Sequence, residues 1–312
     1  MPTPDILCLG EPLVEFNRRP DGLWLGGHGG DSSNCAVAAA RQGASVGYLS
    51  RVGDDLFGRD LLDLWRAEGV DTTGVRVDPQ APTGVYFVTH GPEGHVFTYR
   101  RAGSAASLMT PADLAVEALR GTRLLHVSGI GLAISDSAAE TVFAAIETAR
   151  EAGGRVSCDP NLRLKLWGLD RGGLDRAREV IHAAMVRCQI ALPGLEDAVR
   201  LTGLSDPDAI ADVYLGLGAE VVALTLGAEG ALVATPDART RLPGHRVEAV
   251  DATGAGDAFD GAFLAALAEG ADPFAAGRRA NAAAALSVTG QGAVAPLPSR
   301  AQVEAFLAAR EG

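Results

Sequence analysis

Short uninterrupted apolar runs alternate along the chain with longer stretches whose apolar residues recur every three to four positions. The runs DILCLG (5–10), SVGYLS (45–50), RLLHVSG (123–129), RVSCD (155–159), QIALP (189–193) and EVVALTLG (220–227) predict buried strands. The segments near 33–43, 55–69, 136–153, 172–187, 195–203 and 206–218 predict amphipathic helices between them. Strands separated by helices of this length imply βαβ units, hence the α/β class, with a mainly parallel sheet covered on both faces.

Two stretches depart from that rhythm. Residues 11–28 pattern as a hairpin turning at Pro20-Asp21-Gly22, and residues 83–101 as another turning over Gly91-Pro92-Glu93-Gly94. Together they predict a small β-layer beside the main sheet, a candidate lid spanning about 11–28 and 83–107. Beyond residue 250 come three helical segments, DATGAGDAFDGAFLAALAEG, DPFAAGRRANAAAALSVTG and PSRAQVEAFLAAR. The first two are rich in Ala and Gly, which permit close helix packing. No composition shift marks a linker and no fixed period recurs, so a single domain over residues 1–312 is expected.

Composition narrows the function classes. Hydrophobic residues make up 47% and charged residues 21%, enough for a large core and against disorder. A net charge of −12 argues against a nucleic-acid partner, which would call for a basic face. It leaves room for a local positive pocket built from a few arginines. Lys165 is the one lysine among the 27 basic residues. Cys8, Cys35, Cys158 and Cys188 lie in apolar stretches with no CxxC spacing, and read as buried thiols rather than disulfides or zinc ligands. The first residues lack a signal-peptide pattern, and no run reaches the roughly 20 apolar residues of a membrane span. A cytoplasmic location with no membrane partner is the expectation.

The sharpest chemical signal is Asp251-Ala-Thr-Gly-Ala-Gly-Asp257-Ala-Phe, where a glycine-bearing turn runs directly into an apolar helix. Such a junction presents free backbone N–H groups and the positive end of a helix dipole, and so binds anions. Asp257 at the helix start could serve as a simple cap. A cap leaves Gly254 and Gly256 unexplained, whereas phosphorylation of an alcohol needs a base beside an anion hole. Neither a Walker A loop nor GxGxxG is present: the sole lysine follows Leu164, and Phe259 stands where the third glycine would be.

A second glycine-to-helix junction, Gly29-Gly30-Asp31-Ser32-Ser33-Asn34, offers close backbone approach to a polyol, with Asp31 and Asn34 to bond its hydroxyls. Helix capping by Asp31 or Ser32 explains the same residues equally well. Downstream, Arg51-Val-Gly53-Asp54-Asp55 reads as a structural strand-to-helix turn. A third segment, Asp159-Pro-Asn161-Leu-Arg163-Leu-Lys165-Leu-Trp167, follows a strand. Arg163 there could hold a carboxylate or phosphate, or be a solvated surface charge, and Trp167 reads as packing. The six histidines show no metal-ligand spacing, and His126 reads as core.

Taken together, these segments resemble the ribokinase-like, or phosphofructokinase-B type, carbohydrate kinases over nearly the whole chain. Two signatures carry the resemblance, GGDSSNCAVAAARQGASVGYLSRVGDDLFG from Gly29 and DATGAGDAFDGAFL from Asp251. It implies a three-layer α/β/α core with a small β-sheet lid. Within the family the likeness is to 2-keto-3-deoxygluconate kinases, through Gly10-Glu11-Pro12-Leu13-Val14-Glu15, Phe97-Thr-Tyr99-Arg100-Arg101, His126-Val-Ser128-Gly129-Ile130 and the 159–167 segment.

The resemblance further implies that Gly30, Asn34, Tyr86, Arg100 and Arg163 line a sugar-acid site, that Asp257 is the base, and that Gly254, Ala255 and Gly256 form the anion hole. Thr225, Gly227, Gly230 and Asn281 would border ATP. Glu196 would be linked to Mg²⁺ placement, with Asp251 and Thr253 at a monovalent-cation site of the K⁺ kind. A homodimer or larger assembly is implied as well. Pro193 stands where relatives carry Asn before the Glu196 position, Thr98 where some carry a substrate-facing Tyr, and Ala252 where Thr is common. The alternatives are a kinase for a neutral sugar or nucleoside such as ribose, fructose or tagatose, or a non-catalytic sugar-binding module on the same scaffold.

Overall fold

The computed structural model describes residues 3–91, 94–168 and 172–311. In chain order the strands are β1 (Ile6–Leu9), β2 (Leu13–Arg18), β3 (Trp24–Gly29), β4 (Val46–Gly53), β5 (Val75–Asp78), β6 (Val85–Gly91), β7 (Gly94–Arg100), β8 (Leu124–Ser128), β9 (Arg155–Asp159), β10 (Ile190–Ala191), β11 (Val221–Thr225), β12 (Gly230–Ala234) and β13 (Arg239–Pro243). The helices are α1 (Asp31–Arg41), α2 (Leu56–Ala67), α3 (Val116–Gly121), α4 (Gly129–Ala133), α5 (Asp136–Glu151), α6 (Gly173–Met185), α7 (Leu195–Thr202), α8 (Pro207–Gly216), α9 (Ala255–Ala268), α10 (Pro273–Ser287) and α11 (Arg300–Glu311).

The large sheet runs β13-β12-β11-β10-β9-β8-β1-β4-β5. It is parallel from β5 to β11, with β12 and β13 added antiparallel at one edge. One face packs against α1, α2, α9, α10 and α11 around Trp65, Phe259 and Phe263. The other packs against α5, α6, α7 and α8 around Ile146, Ile181 and Tyr214. The result is the expected three-layer α/β/α core. Strand order reverses at β1, which has β4 on one side and β8 on the other. Ligands of open α/β sheets bind beyond the strand carboxyl ends at such a reversal.

The smaller sheet, ordered β3-β2-β6-β7, is built from the two stretches that broke the βα rhythm. The β2–β3 turn closes where Pro20-Asp21-Gly22 placed it, with Gly22 N–H donating to Arg19 O at 2.9 Å. In the second hairpin the register brings Gly91 opposite Gly94, and Pro92 and Glu93 of the expected turn lie outside the described residues. β5 and β13 carried no sequence signal because both are short edge strands without an apolar run. β10 covers only two of the five residues expected at 189–193, and the carbonyl of Pro193 accepts instead from Thr225 N–H at 3.0 Å. Asp55 caps α2 by accepting from Gly58 N–H at 2.7 Å. Trp167, His126 and all four cysteines are buried, as their contexts predicted.

One helix contact positions the site. α9 lies directly on α1, and a Cβ at Gly261 would stand 2.5 Å from both the Cys35 carbonyl oxygen and Ala38 Cβ. Overpacking of this kind costs about 1–3 kcal/mol, because neither partner is a flexible side-chain end. Gly261→Ala is therefore expected to lower the thermal midpoint by several degrees and to reduce kcat, measured by calorimetry and steady-state assay; an unchanged midpoint would mean that the two helices separate freely.

Candidate active site

A cavity of about 810 Å³ opens beyond the carboxyl ends of β8, β9, β10 and β11, between the two sheets. The N-termini of α1 and α9 both point into it, so the two glycine-to-helix junctions of the sequence converge in space.

At the α9 junction, Gly254 takes a left-handed conformation (φ 78°, ψ 6°) and no side chain caps the helix. The Ala255 N–H turns back to the Ala252 carbonyl at 3.2 Å. The Gly256 and Asp257 amides have no acceptor among the described residues and border the cavity. Of the Gly254–Gly256 set expected to form an anion hole, the Ala255 donor is taken up by the turn that starts the helix, and the open amides are those of Gly256 and Asp257. Asp257 is not a cap. Its Oδ2 accepts from Asn34 Nδ2 at 2.7 Å, tying α9 to α1. Burial and the nearby Asp31 carboxylate push the Asp257 pKa up to about 7, against the opposing pull of Asn34 and Arg163. The group sits where a general base for neutral pH should.

At the α1 junction Gly30 is the N-cap residue (φ 96°), where any Cβ would strike the Glu11 carbonyl. Asp31 does not cap. Its carboxylate accepts from Ser32 N–H at 2.7 Å and from Asn161 Nδ2 at 2.9 Å, tying it to the β9 loop while it lines the cavity. Asn34 donates one amide hydrogen to Asp257, and its Oδ1 is buried without a partner at the cavity wall. That oxygen can accept from a ligand hydroxyl. Two further carboxyls line this end, Asp159 and Asp260, both raised by burial and then by their acidic neighbours.

The small sheet supplies the facing wall. Tyr86 lines the cavity with its ring, while its hydroxyl donates to Glu15. Arg100 does not reach the cavity. It lies exposed on the outer face, because strand alternation turns Phe97, Tyr99 and Arg101 inward instead. The same one-residue shift makes Tyr99, not Thr98, the inward aromatic. The sequence showed two adjacent arginines, and only pairing Tyr86 with Tyr99 across the hairpin fixes which one faces in. Arg101 pairs with buried Glu11, and burial lowers its pKa to about 10. Its Nε is buried without a partner, a donor still to be used.

Arg163 also lines the cavity, half exposed and 3.6 Å from Asp197 Oδ2. Thr225, at the end of β11, borders the cavity as expected. Gly227 and Gly230 form the turn beyond it, with φ of 60° and 104°, outside the lining. Asn281 is buried in α10, donating to Pro243 O at 2.8 Å, and is also outside it. Asp251 accepts from Thr253 N–H (2.9 Å), Thr253 Oγ1 (2.7 Å) and Gly292 N–H (3.0 Å), which gives the pair a loop-fixing role.

Glu196 is exposed on the first turn of α7 and does not line the cavity; its neighbour Asp197 does, accepting from Leu162 N–H at 2.9 Å. Among the described residues no group of three His, Cys, Asp or Glu could cage a metal. A hard divalent ion in such a site is held mainly by substrate phosphates and water.

The profile of the pfkB family carbohydrate kinases matches residues 7–300. The 2-dehydro-3-deoxygluconokinase of Thermoproteus tenax is 35% identical, the match covering 97% of this chain and 94% of that protein. A probable chloroplastic fructokinase-6 of Arabidopsis thaliana is 34% identical over 98% of this chain and 83% of its own length. Among solved structures, a putative ribokinase II from E. coli in complex with ATP and Mg²⁺ superposes with a TM-score of 0.90 at 27% identity, covering 98% of this chain and 99% of the other. Two glycine-led helix starts meeting around a carboxylate thus coincide with a family match along almost the whole chain: it belongs to the pfkB family of carbohydrate kinases and is a sugar kinase.

Proposed function

We propose that the protein phosphorylates a hydroxyl of a sugar acid, 2-keto-3-deoxygluconate, with ATP as donor. The observation that carries this is the pairing of Asp257 with open helix amides at one end of a cavity whose walls also hold two guanidiniums, Arg101 and Arg163. Asn34 Oδ1 and the Gly30 junction orient the sugar, and the arginines take its carboxylate. Asp257 accepts the hydroxyl proton as the new O–P bond forms and the bond to the ADP oxygen breaks. The Gly256 and Asp257 amides stabilise the charge on the moving phosphoryl group. ATP enters as its Mg²⁺ complex, the ion being carried by phosphate oxygens. The small sheet acts as a lid that excludes water.

The ATP donor and four buried free thiols support a cytoplasmic location. The solvent-facing Leu23, Trp24, Leu25 and Val96 of the small sheet support a homodimer formed through it. Trp24→Glu is expected to yield monomer by light scattering, and an unchanged mass would remove that face from the assembly. A second reading, a kinase for fructose or another neutral sugar, is favoured by the fructokinase relative.

Asp257→Asn should lower kcat by about 10²–10⁴ while ATP still binds by calorimetry; wild-type turnover would remove Asp257 as base. Because only the ionised carboxylate accepts a proton, kcat/KM should climb tenfold per pH unit up to about 7 and then level off. A plateau extending down to pH 5 would contradict the raised pKa. Arg163→Ala and Arg101→Ala should each raise KM for the sugar acid about 10- to 100-fold in an ADP-release panel. Efficient turnover of fructose with no acid activity would favour the second reading.

A further inference from the structure

Four side-chain cations line the cavity: Arg101, Arg163, Lys165 and Arg200. Arg101 is engaged by Glu11 and Arg163 lies beside Asp197. Lys165 and Arg200 have no ion-pair or hydrogen-bond partner for their charged groups among the described residues. An exposed lysine is ordinarily a solvated charge, and two features separate Lys165 from that background. The chain uses arginine at every other basic position, so the one ammonium group stands at the reaction cavity. The loop that carries it is also clamped. Asp197 of α7 accepts from Leu162 N–H at 2.9 Å, and Arg200 lies one turn further along that helix, its carbonyl held by Arg178 at 2.7 Å. α7 in turn is preceded by Gly194, which bridges to Thr225 of β11 on the cavity wall.

We propose that Lys165 and Arg200 form a cationic jaw that grips the β- and γ-phosphates of the nucleotide across the cavity from the α9 amides. The inference rests on ATP being the donor. Its chemical basis is a charge deficit. The chain has no Walker lysine, and among the described residues no carboxylate cage for a metal. A polyphosphate entering an acidic protein through a cavity with seven lining carboxyls needs compensating cations on the opposite wall. A compact ammonium can move with the phosphate oxygens as the bond changes hands, where a planar guanidinium fork holds one fixed geometry.

The test is calorimetric titration of the full chain with AMP-PNP and with AMP, Mg²⁺ present, for wild type, Lys165→Met, Lys165→Arg and Arg200→Met. Each methionine variant should weaken AMP-PNP about 10-fold or more and leave AMP within twofold, since AMP lacks both gripped phosphates. Lys165→Arg should recover most of the lost affinity by restoring the charge, and KM for the sugar should move less than KM for ATP. AMP-PNP affinity unchanged in both methionine variants would overturn the jaw, as would equal weakening of AMP and AMP-PNP, which marks a structural fault. Wild-type protein that binds AMP-PNP but phosphorylates no sugar acid would sink the substrate reading and leave the jaw standing. Wild-type protein that binds no AMP-PNP would sink the jaw.

Discussion

The hydrogen bond from Asn34 Nδ2 to Asp257 Oδ2, 2.7 Å long, joins two helices that begin 224 residues apart in the chain, at Asp31 and Ala255. Much of the site's chemistry depends on it. It turns the Asp257 carboxyl away from its own helix, where it would have capped the first turn, and leaves the Gly256 and Asp257 amides open to an anion. The bond forms because α1 and α9 pack closely enough for Gly261 to lie against the Cys35 carbonyl and Ala38. A small-residue contact deep in the core thus fixes the geometry of the reacting groups at the surface of the sheet.

The site stores electrostatic cost. Asp31, Asp159, Asp257 and Asp260 crowd one end of the cavity; burial raises all four, and repulsion from neighbouring carboxylates adds to it at Asp159, Asp257 and Asp260. Carboxyls that ionise reluctantly in the fold work against folding as pH rises past the ordinary carboxylate range, where the unfolded chain has already released those protons. The large two-sided core, with its Trp65, Phe259, Phe263 and Tyr214 fully buried, offsets that cost. What is gained is a carboxyl, Asp257, whose proton affinity matches a neutral medium, which an exposed aspartate lacks.

The two sheets divide the work by rigidity. The parallel sheet is buried on both faces and presents the ends of β8, β9, β10 and β11 as a fixed floor. The small sheet is one-sided, with Leu13, Tyr86 and Val88 inward and several apolar residues outward. It is joined to the rest of the molecule by apolar packing, with Val14 in the main core and Phe16 against Phe57 of α2, and by the contacts of Arg101 with Glu11 and His28 with Asp60.

Sequence alone determined the parts whose cause is local. Apolar runs and helical periodicity gave most strands and helices, because burial on both faces leaves an unbroken hydrophobic trace in the chain. Glycines ahead of a helix announced both helix-start junctions that meet at the cavity, because few other residues fit the backbone there. Edge strands β5 and β13 left no such trace, being short and without an apolar run. Tertiary structure alone decided that Arg101 rather than Arg100 faces the cavity, since a strand's inward face is set by cross-strand register. It also decided that Asp197 rather than Glu196 borders the cavity, by the rotation of α7 on its neighbours, and that Asn34 meets Asp257 at all. Each of those outcomes depends on how distant segments pack, and adjacency along the chain carries no record of it.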